Sequence, residues 1–347
     1  MYWSFLGRCD GVCCIWRRKF ENGGLMFTED ALLELTRLKL PGGAAADSLE
    51  EIVKGGSDRR FYRVRLADEG KGSVILMTYT LARPDNPRFV PATRRLRGLG
   101  VNVPEVYAHD EKNLMVWLED LGTVDLHAFR GEPWEVRVPL YRATLAEVAK
   151  LHAVVVGGLS AQDMADMEPG FDESLYHWEQ DYFLAHFMKG LRGVEEVPGE
   201  VEKVLKQLRE ELAVLPRGLV HRDFQSQNVI MRDGGAWLID YQGVRPGLPA
   251  YDLASLLLDP YVEMAEVERL SLLRWYAEHR RLDFDELMGV YWRCAAQRLM
   301  QALGAYANLS RNLGKPHFEA HVPVAVARLK GVCTQLPALE PLGRWVG

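Results

Sequence analysis

Leu219–Gly247 reads LVHRDFQSQNVIMRDGGAWLIDYQGVRPG, and its second half sets the local architecture. Two short apolar runs, Val229–Met231 and Ala236–Ile239, flank Arg232-Asp233-Gly234-Gly235. Asp-Gly or Gly-Gly between such runs is the favoured chemistry of a tight hairpin, because the commonest two-residue turns need positive φ. A turn on Asp233-Gly234 sets Asn228 opposite Ile239, and a turn on Gly234-Gly235 sets Val229 opposite Asp240. Either register brings Asn228 and Asp240 to neighbouring strand ends. An amide oxygen and a carboxylate there are hard ligands, suited to a Mg2+ that keeps waters and takes its other ligands from substrate phosphates.

Asp223 stands five residues before Asn228, directly after His221 and Arg222. The run H-R-D-x-x-x-x-N, followed by an aspartate beyond a hairpin, resembles the catalytic loop and metal aspartate of protein-kinase-like enzymes. The competing reading, turn and cap residues meeting by accident, leaves the hairpin and the second aspartate without a role. Protein kinases continue with Phe-Gly and later Ala-Pro-Glu, whereas this chain has Tyr241-Gln242 and then Leu248-Pro249-Ala250-Tyr251-Asp252-Leu253-Ala254. That ending is similar to the aminoglycoside phosphotransferase family of small-molecule kinases. Within it, HRDFQSQNVIM, LIDYQ and PAYDLASLL look most like the branch that phosphorylates N-acetylmuramate and N-acetylglucosamine at the anomeric hydroxyl. The likeness runs from about Leu49 to Tyr306.

The resemblance implies an α+β, protein-kinase-like fold of two lobes: a small antiparallel β N-lobe over 26–121 that binds nucleotide, and a mostly helical C-lobe over 122–347. It implies ATP and Mg2+ as cofactors. Asp223 is then the catalytic residue that orients the acceptor hydroxyl and takes its proton, and Asn228 and Asp240 hold the metal. His221, Arg222 and Asp252 support the loop. The acceptor is expected in reach of Gln225, Gln242 and Arg245, since amides suit sugar hydroxyls and arginine suits a carboxylate.

Length and composition agree with a soluble globular chain. Its 347 residues can bury one large core or two modest ones, and 48% are hydrophobic. A formal charge of −6 argues against nucleic acid as a partner, which normally meets a basic face. The five cysteines, Cys9, Cys13, Cys14, Cys294 and Cys333, suggest neither a disulfide framework nor a zinc ribbon. No apolar run reaches membrane-spanning length. The expected setting is the cytoplasm, as a monomer or weak dimer, with no membrane partner. Residues 1–25 look foreign to the rest of the chain, with Arg17-Arg18-Lys19 placed in the wrong order for a secretory signal, so Met26 is read as the natural start.

Leu32, Leu35 and Leu38 then mark a helix. Glu50–Lys54, Arg60–Leu66 and Val74–Thr80 read as strands, with Tyr62, Val64 and Leu66 facing one way and Phe61, Arg63 and Arg65 the other. The Gly55-Gly56-Ser57-Asp58 turn is expected to cover nucleotide phosphates with backbone N–H groups. Met77 occupies the place of the usual strand lysine, and the helix Asn86–Leu99 has no glutamate; Arg60 and Arg63 are the expected substitutes. Val101–Tyr107 and Asn113–Leu118 read as further strands. In the resembling family the next turn links the lobes, so the backbone around Trp117 and Glu119 is expected to read the base.

From Pro133 the chain turns helical: Val138, Tyr141, Leu145, Val148 and His152 form one stripe, with His152 read as a packed core residue. Glu200–Leu215 and a long helix opened by Asp283 come after it. Ser160–Tyr182 carries seven carboxylates without a lysine or arginine. Such a run is usually a solvated face, yet it keeps an aminoglycoside or choline-like amine kinase as the alternative enzyme. The missing lysine raises a third reading, a catalytically idle nucleotide-binding pseudokinase.

Overall fold

A computed structural model of the chain describes residues 17–19, 25–40, 45–52, 59–67 and 72–347. They divide into two compact units. The first comprises the described residues up to Thr93 together with Pro104–Leu121; the second comprises Arg94–Val103 and Gly122–Gly347. The change of unit therefore falls inside the helix Phe89–Gly98 as well as at Leu121. No helix among the described residues is long and apolar enough to cross a membrane.

The first unit is built on a five-stranded antiparallel sheet in the order Ala46–Ile52, Arg60–Leu66, Ser73–Thr78, Met115–Glu119, Val106–Asp110. The helix Glu29–Lys39 packs on it. Thr28 caps that helix through Oγ1, which accepts from Ala31 N at 3.3 Å, and acidic residues in the first turn with basic ones in the last oppose the helix dipole. Its Leu32, Leu33 and Leu35 are buried with Val64, Leu76 and Trp117, each leucine contributing about 1.5–3 kcal/mol. Trp117 satisfies its one donor by giving Nε1–H to Thr36 Oγ1 at 2.9 Å. Leu38, expected on the same face, lies well round the helix from the centre of the buried stripe and is exposed.

Strand limits moved for identifiable reasons. The first strand starts at Ala46, before the residues read as strand. Val101–Tyr107 was expected to be a strand, but pairing begins only at Val106; Pro104 has no N–H to give a ladder. Arg17–Lys19, in the stretch expected to be a loose extension, pairs antiparallel with Leu25–Phe27. The rest of that stretch, residues 1–16 and 20–24, lies outside the described residues.

In the second unit Val229–Arg232 and Gly235–Leu238 form the hairpin, with Val229 opposite Leu238. Asp233 at φ 52° and Gly234 at φ 74° make the turn, which selects the register in which Asn228 faces Ile239. Ile239 N–H accordingly donates to Asn228 O at 3.0 Å. Asn102 edges this hairpin: its carbonyl accepts from Leu238 N at 2.8 Å, and its side-chain amide donates to Ala236 O and to Glu147. A second short pair, Gly218–Val220 with Arg245–Gly247, closes the other end of the same segment.

Around these pairings stand the helices Trp134–His152, Pro249–Leu257 and Phe284–Arg311. The last is capped by Asp283, whose Oδ1 accepts from Glu286 N at 2.9 Å, and is buried without a break from Cys294 to Gly304. Glu173–Tyr182 runs directly into a π-helical segment, Phe183–Leu191. Gly304 makes room for it: a Cβ there would lie 2.8 Å from Tyr182 Cδ1 and 3.1 Å from Phe183 main chain.

Candidate active site

The catalytic loop is fastened from below by one buried carboxylate. Asp252, at the start of its helix, accepts His221 N–H at 2.6 Å and Arg222 N–H at 2.9 Å. His152 Nε2 meets the same carboxylate at 3.0 Å, and His152 Nδ1 lies 2.7 Å from Tyr276 OH. His152 and Asp252 have no side-chain exposure. Asp252 thus pins two consecutive amides, and Arg222 is held at φ 77° immediately before Asp223.

Hydrogen bonds then link two of the three residues expected to carry chemistry with the residue that precedes the third. Asn228 Nδ2 donates to Asp223 O at 2.8 Å, the Asn228 carbonyl accepts from Ile239, and His221 Nε2 meets Ile239 O at 2.9 Å. Asp240 comes directly after, at φ 61°. Left-handed backbone at a non-glycine residue is sparsely populated and concentrates at functional sites. Two such residues, Arg222 and Asp240, stand directly before Asp223 and directly after Ile239.

Asp223 accepts from Arg222 NH1 at 2.9 Å. Burial pushes its carboxyl up, but the charges of Arg222, Arg298 and His221 and the Arg222 hydrogen bond outweigh that, so its pKa falls below the ordinary aspartate value. The carboxylate is therefore ionised at neutral pH and able to accept a proton.

The donor set fits a divalent cation. Because Asn228 Nδ2 is committed to Asp223 O, its Oδ1 is the atom that would be left for a metal, and Asn228 faces Ile239, the residue before Asp240. Gln242 donates Nε2–H to Asp240 Oδ1 at 3.2 Å, while its own Oε1 is buried with no hydrogen-bond partner among the described residues. Such an acceptor costs about 1–3 kcal/mol unless a donor arrives, which a metal-bound water or a substrate hydroxyl supplies. The described residues hold no group of three or more His, Cys, Asp or Glu able to bind a metal by themselves, so an ion held by Asn228 and Asp240 would need waters and phosphates as further ligands.

The other expected residues divide. Gln225 forms the turn of the loop, its N–H donating to Asp223 O and its carbonyl accepting from Asn228 N–H, both at 2.9 Å. Arg245 lies over the Phe171 ring, its Nε donates to Gly243 O at 3.0 Å and it stands 3.8 Å from Glu168. Gly55, Gly56, Ser57 and Asp58 lie outside the described residues. In the first unit Arg60 is bidentate to Glu51, and Arg63 to Asp120, which also accepts from Ser73 Oγ. A phosphate at either arginine has to compete with a carboxylate already in place. Trp117 sits in a strand paired on both sides, opposite Leu76 and Ala108, so its main chain is taken up by the sheet; the double pairing ends at Leu118, and Glu119 is opposite Val74 alone.

Three neighbours of the loop were not anticipated. Arg298, on the long helix, donates Nε–H to Ser255 Oγ and NH1 to Gln301 Oε1, and its charge bears on Asp223. Asp259 accepts Ser226 N–H at 3.0 Å and Ser226 Oγ–H at 2.6 Å, locking the turn after Asp223. Glu179, from the acidic run, is 1% exposed and accepts from Tyr251 OH and Gln297 Nε2. The solvated-face reading of that run is corrected at Glu179 alone: Asp172, Glu173 and Asp181 are exposed, while Asp163 pairs with Arg95 and Asp172 caps a helix.

An ionised Asp223, an amide and a carboxylate of the kind that suit a divalent cation, and a loop fastened by a buried aspartate are the parts that phosphoryl transfer calls for. Residues 49–287 match the model of the phosphotransferase enzyme family, and the chain belongs to that family. It is a small-molecule kinase, carrying phosphate to a hydroxyl. Among curated relatives, an N-acetylmuramate/N-acetylglucosamine kinase of Pseudomonas aeruginosa is 25% identical over 303 residues, spanning 84% of this chain and 87% of its own. A protein of the same name from Neisseria meningitidis serogroup B is 28% identical over 305 residues, spanning 82% and 85%. Among solved structures, a choline/ethanolamine kinase family protein from Mesorhizobium loti aligns with a TM-score of 0.61 at 18% identity, over 90% of this chain and 98% of that one. That likeness shows the fold, which is protein-kinase-like.

Proposed function

We propose that this enzyme transfers the γ-phosphate of ATP to a hydroxyl of an N-acetylated amino sugar, N-acetylmuramate or N-acetylglucosamine, with the anomeric hydroxyl as acceptor. The carrying observation is the hydrogen-bonded chain from Asp223 through Asn228 and Ile239 to His221, which ties the base and the metal seat into one piece. The names of the curated relatives support the sugar.

Phosphoryl transfer asks the protein mainly for positioning and charge neutralisation. Asp223 orients the acceptor hydroxyl and takes its proton; as a weak base it does so late, once the bond to the leaving phosphate is largely broken. Mg2+, when bound at Asn228 and Asp240, neutralises charge on the phosphates. Gln242 Oε1 offers an acceptor and Arg245 a cation on the side where the sugar is expected. The amine-kinase alternative needs carboxylates free to meet ammonium groups, whereas Asp163, Glu168 and Glu179 already have partners. An idle pseudokinase does not account for the ionised Asp223 beside a two-ligand metal seat.

The test is ATP consumption with N-acetylmuramate, N-acetylglucosamine, choline and an aminoglycoside, each with Mg2+. Consumption with the amino sugars, giving an acid-labile sugar phosphate as anomeric phosphates are, is expected. Consumption with choline alone, or with none of the four, defeats the proposal.

A further inference from the structure

The geometry points to an aromatic platform at Trp178 and Tyr182 that receives the ring face of the acceptor sugar, with the Asn308 amide meeting its hydroxyls. This rests on the sugar-kinase reading and adds the surface that recognises the acceptor.

Trp178 and Tyr182 lie one turn apart on Glu173–Tyr182 and stack, with centroids 5.3 Å apart and planes 17° from parallel. Trp178 is nonetheless 51% exposed, so one broad indole face is open to solvent while the other is backed by a tyrosine. A half-exposed indole backed by a second ring is a surface on which a ligand ring can stack. Pyranose rings present an apolar face of axial C–H groups rimmed by hydroxyls, and an aromatic plane beside a few fixed polar groups is the usual complement for such a molecule.

The polar groups are there. Asn308 Nδ2 donates to Tyr182 OH at 2.9 Å, and Asn308 Oδ1 accepts from Asn312 Nδ2 at 2.8 Å, so the amide orientation is set from both ends. Tyr182 also meets the His186 ring edge-on at 4.5 Å. The platform is built into its position: the π-helical segment begins at the next residue, and Gly304 lets it approach the long helix closely. Short π-helical insertions are frequent at functional sites.

Two independent links run from the platform to the chemistry. Along the long helix, Arg298, Gln301, Ala305 and Asn308 fall on one face at intervals of three and four, starting at the arginine whose charge bears on Asp223. Along Glu173–Tyr182, Glu179 reaches Tyr251 OH, and the Arg222 guanidinium, bonded to Asp223, acts electrostatically on both Glu179 and Tyr182. The proposal puts the platform on the acceptor side because Arg245, expected beside the sugar, lies over the Phe171 ring, which stacks on Tyr176 of the same helix.

Trp178 is exposed, so its replacement does not threaten folding. Expected for Trp178→Ala is a rise of about tenfold in KM for the amino sugar, with kcat and KM for ATP within about twofold; Trp178→Phe recovers most of it. An unchanged sugar KM in Trp178→Ala overturns the platform while leaving the sugar-kinase reading intact. If the wild type turns over no sugar, that reading fails separately, and titration of N-acetylglucosamine by calorimetry decides the platform: binding that Trp178→Ala loses supports it, and no binding, or binding the variant keeps, overturns it. Turnover of choline in place of sugar, weakened by Trp178→Ala, also overturns it.

Discussion

Asp252 Oδ1 accepts the main-chain N–H of Arg222 at 2.9 Å, and Arg222 is held there at φ 77°. Backbone of this kind costs about 1–3 kcal/mol and persists only where its surroundings over-determine it. Asp252→Ala removes both amide anchors and the His152 partner together. The expected result is a kcat about 100-fold lower from misplacement of Asp223, and a loss of about 3 kcal/mol in stability. Steady-state kinetics and urea denaturation measure the two effects; near-normal kcat would show that the loop holds its shape unaided.

Asp223→Asn keeps the shape of the side chain but cannot take a proton. Turnover is expected to fall by a factor on the order of 10² to 10⁴, with nucleotide affinity retained. Turnover within a few-fold of wild type removes Asp223 from the role of base.

Asp240 and its partner Gln242 are separable by metal dependence. Asp240→Asn is expected to raise the Mg2+ concentration for half-maximal activity sharply. Gln242→Leu, which removes the 3.2 Å hydrogen bond orienting that carboxylate together with the Oε1 acceptor, should raise it by roughly 10- to 100-fold. Mg2+ titrations at saturating ATP are the measurement, and identical curves for wild type and both variants contradict the assignment.

His152 gives stability a pH dependence. Burial holds its pKa below the ordinary histidine value, against the hydrogen bond and charge of Asp252, while Arg280 and His221 push the same way as burial. The unfolded chain binds a proton near pH 6.5, the folded chain only at lower pH, so stability falls as pH drops below about 6.5 and goes on falling to the folded pKa. His152→Gln should abolish up to about 1.4 kcal/mol per pH unit of that slope. Urea midpoints of both proteins at pH 7.5 and 5.5 test this; equal slopes count against it.

Gly218→Ala probes the tightest backbone approach beneath the loop. The added Cβ would lie 2.8 Å from the His152 carbonyl oxygen, which a rotamer change cannot relieve. A loss of about 1–3 kcal/mol is expected, read as a lower melting temperature. An unchanged melting temperature means that the main chain there shifts at little cost.

Sequence was most informative where local chemistry leaves few choices. Asp233-Gly234 could satisfy both positive φ angles of a tight turn, so the hairpin and the register of Asn228 against Ile239 were among the two arrangements readable in advance. Strand limits were less legible, because pairing depends on a partner that the strand does not itself encode. Val101–Tyr107 has the right composition, yet its ladder waits until past Pro104. The acidic run misled at one position, because charge alone does not reveal burial: Glu179 is enclosed by Tyr251 and Gln297, from helices far along the chain. Arg298 was hidden for the opposite reason, since an arginine within an apolar stripe looks like its solvent edge until the fold buries it against Ser255 and Gln301.

Asn102 limits how this chain can be dissected. A fragment starting at Gly122 looks like a natural cut, but it would leave the hairpin that carries Asn228 and Asp240 without its bordering segment and Leu238 without an acceptor. The bare edge invites another chain to pair with it. An isolated catalytic fragment should therefore carry residues 94–103 with it, and one made without them is expected to aggregate rather than to be merely inactive.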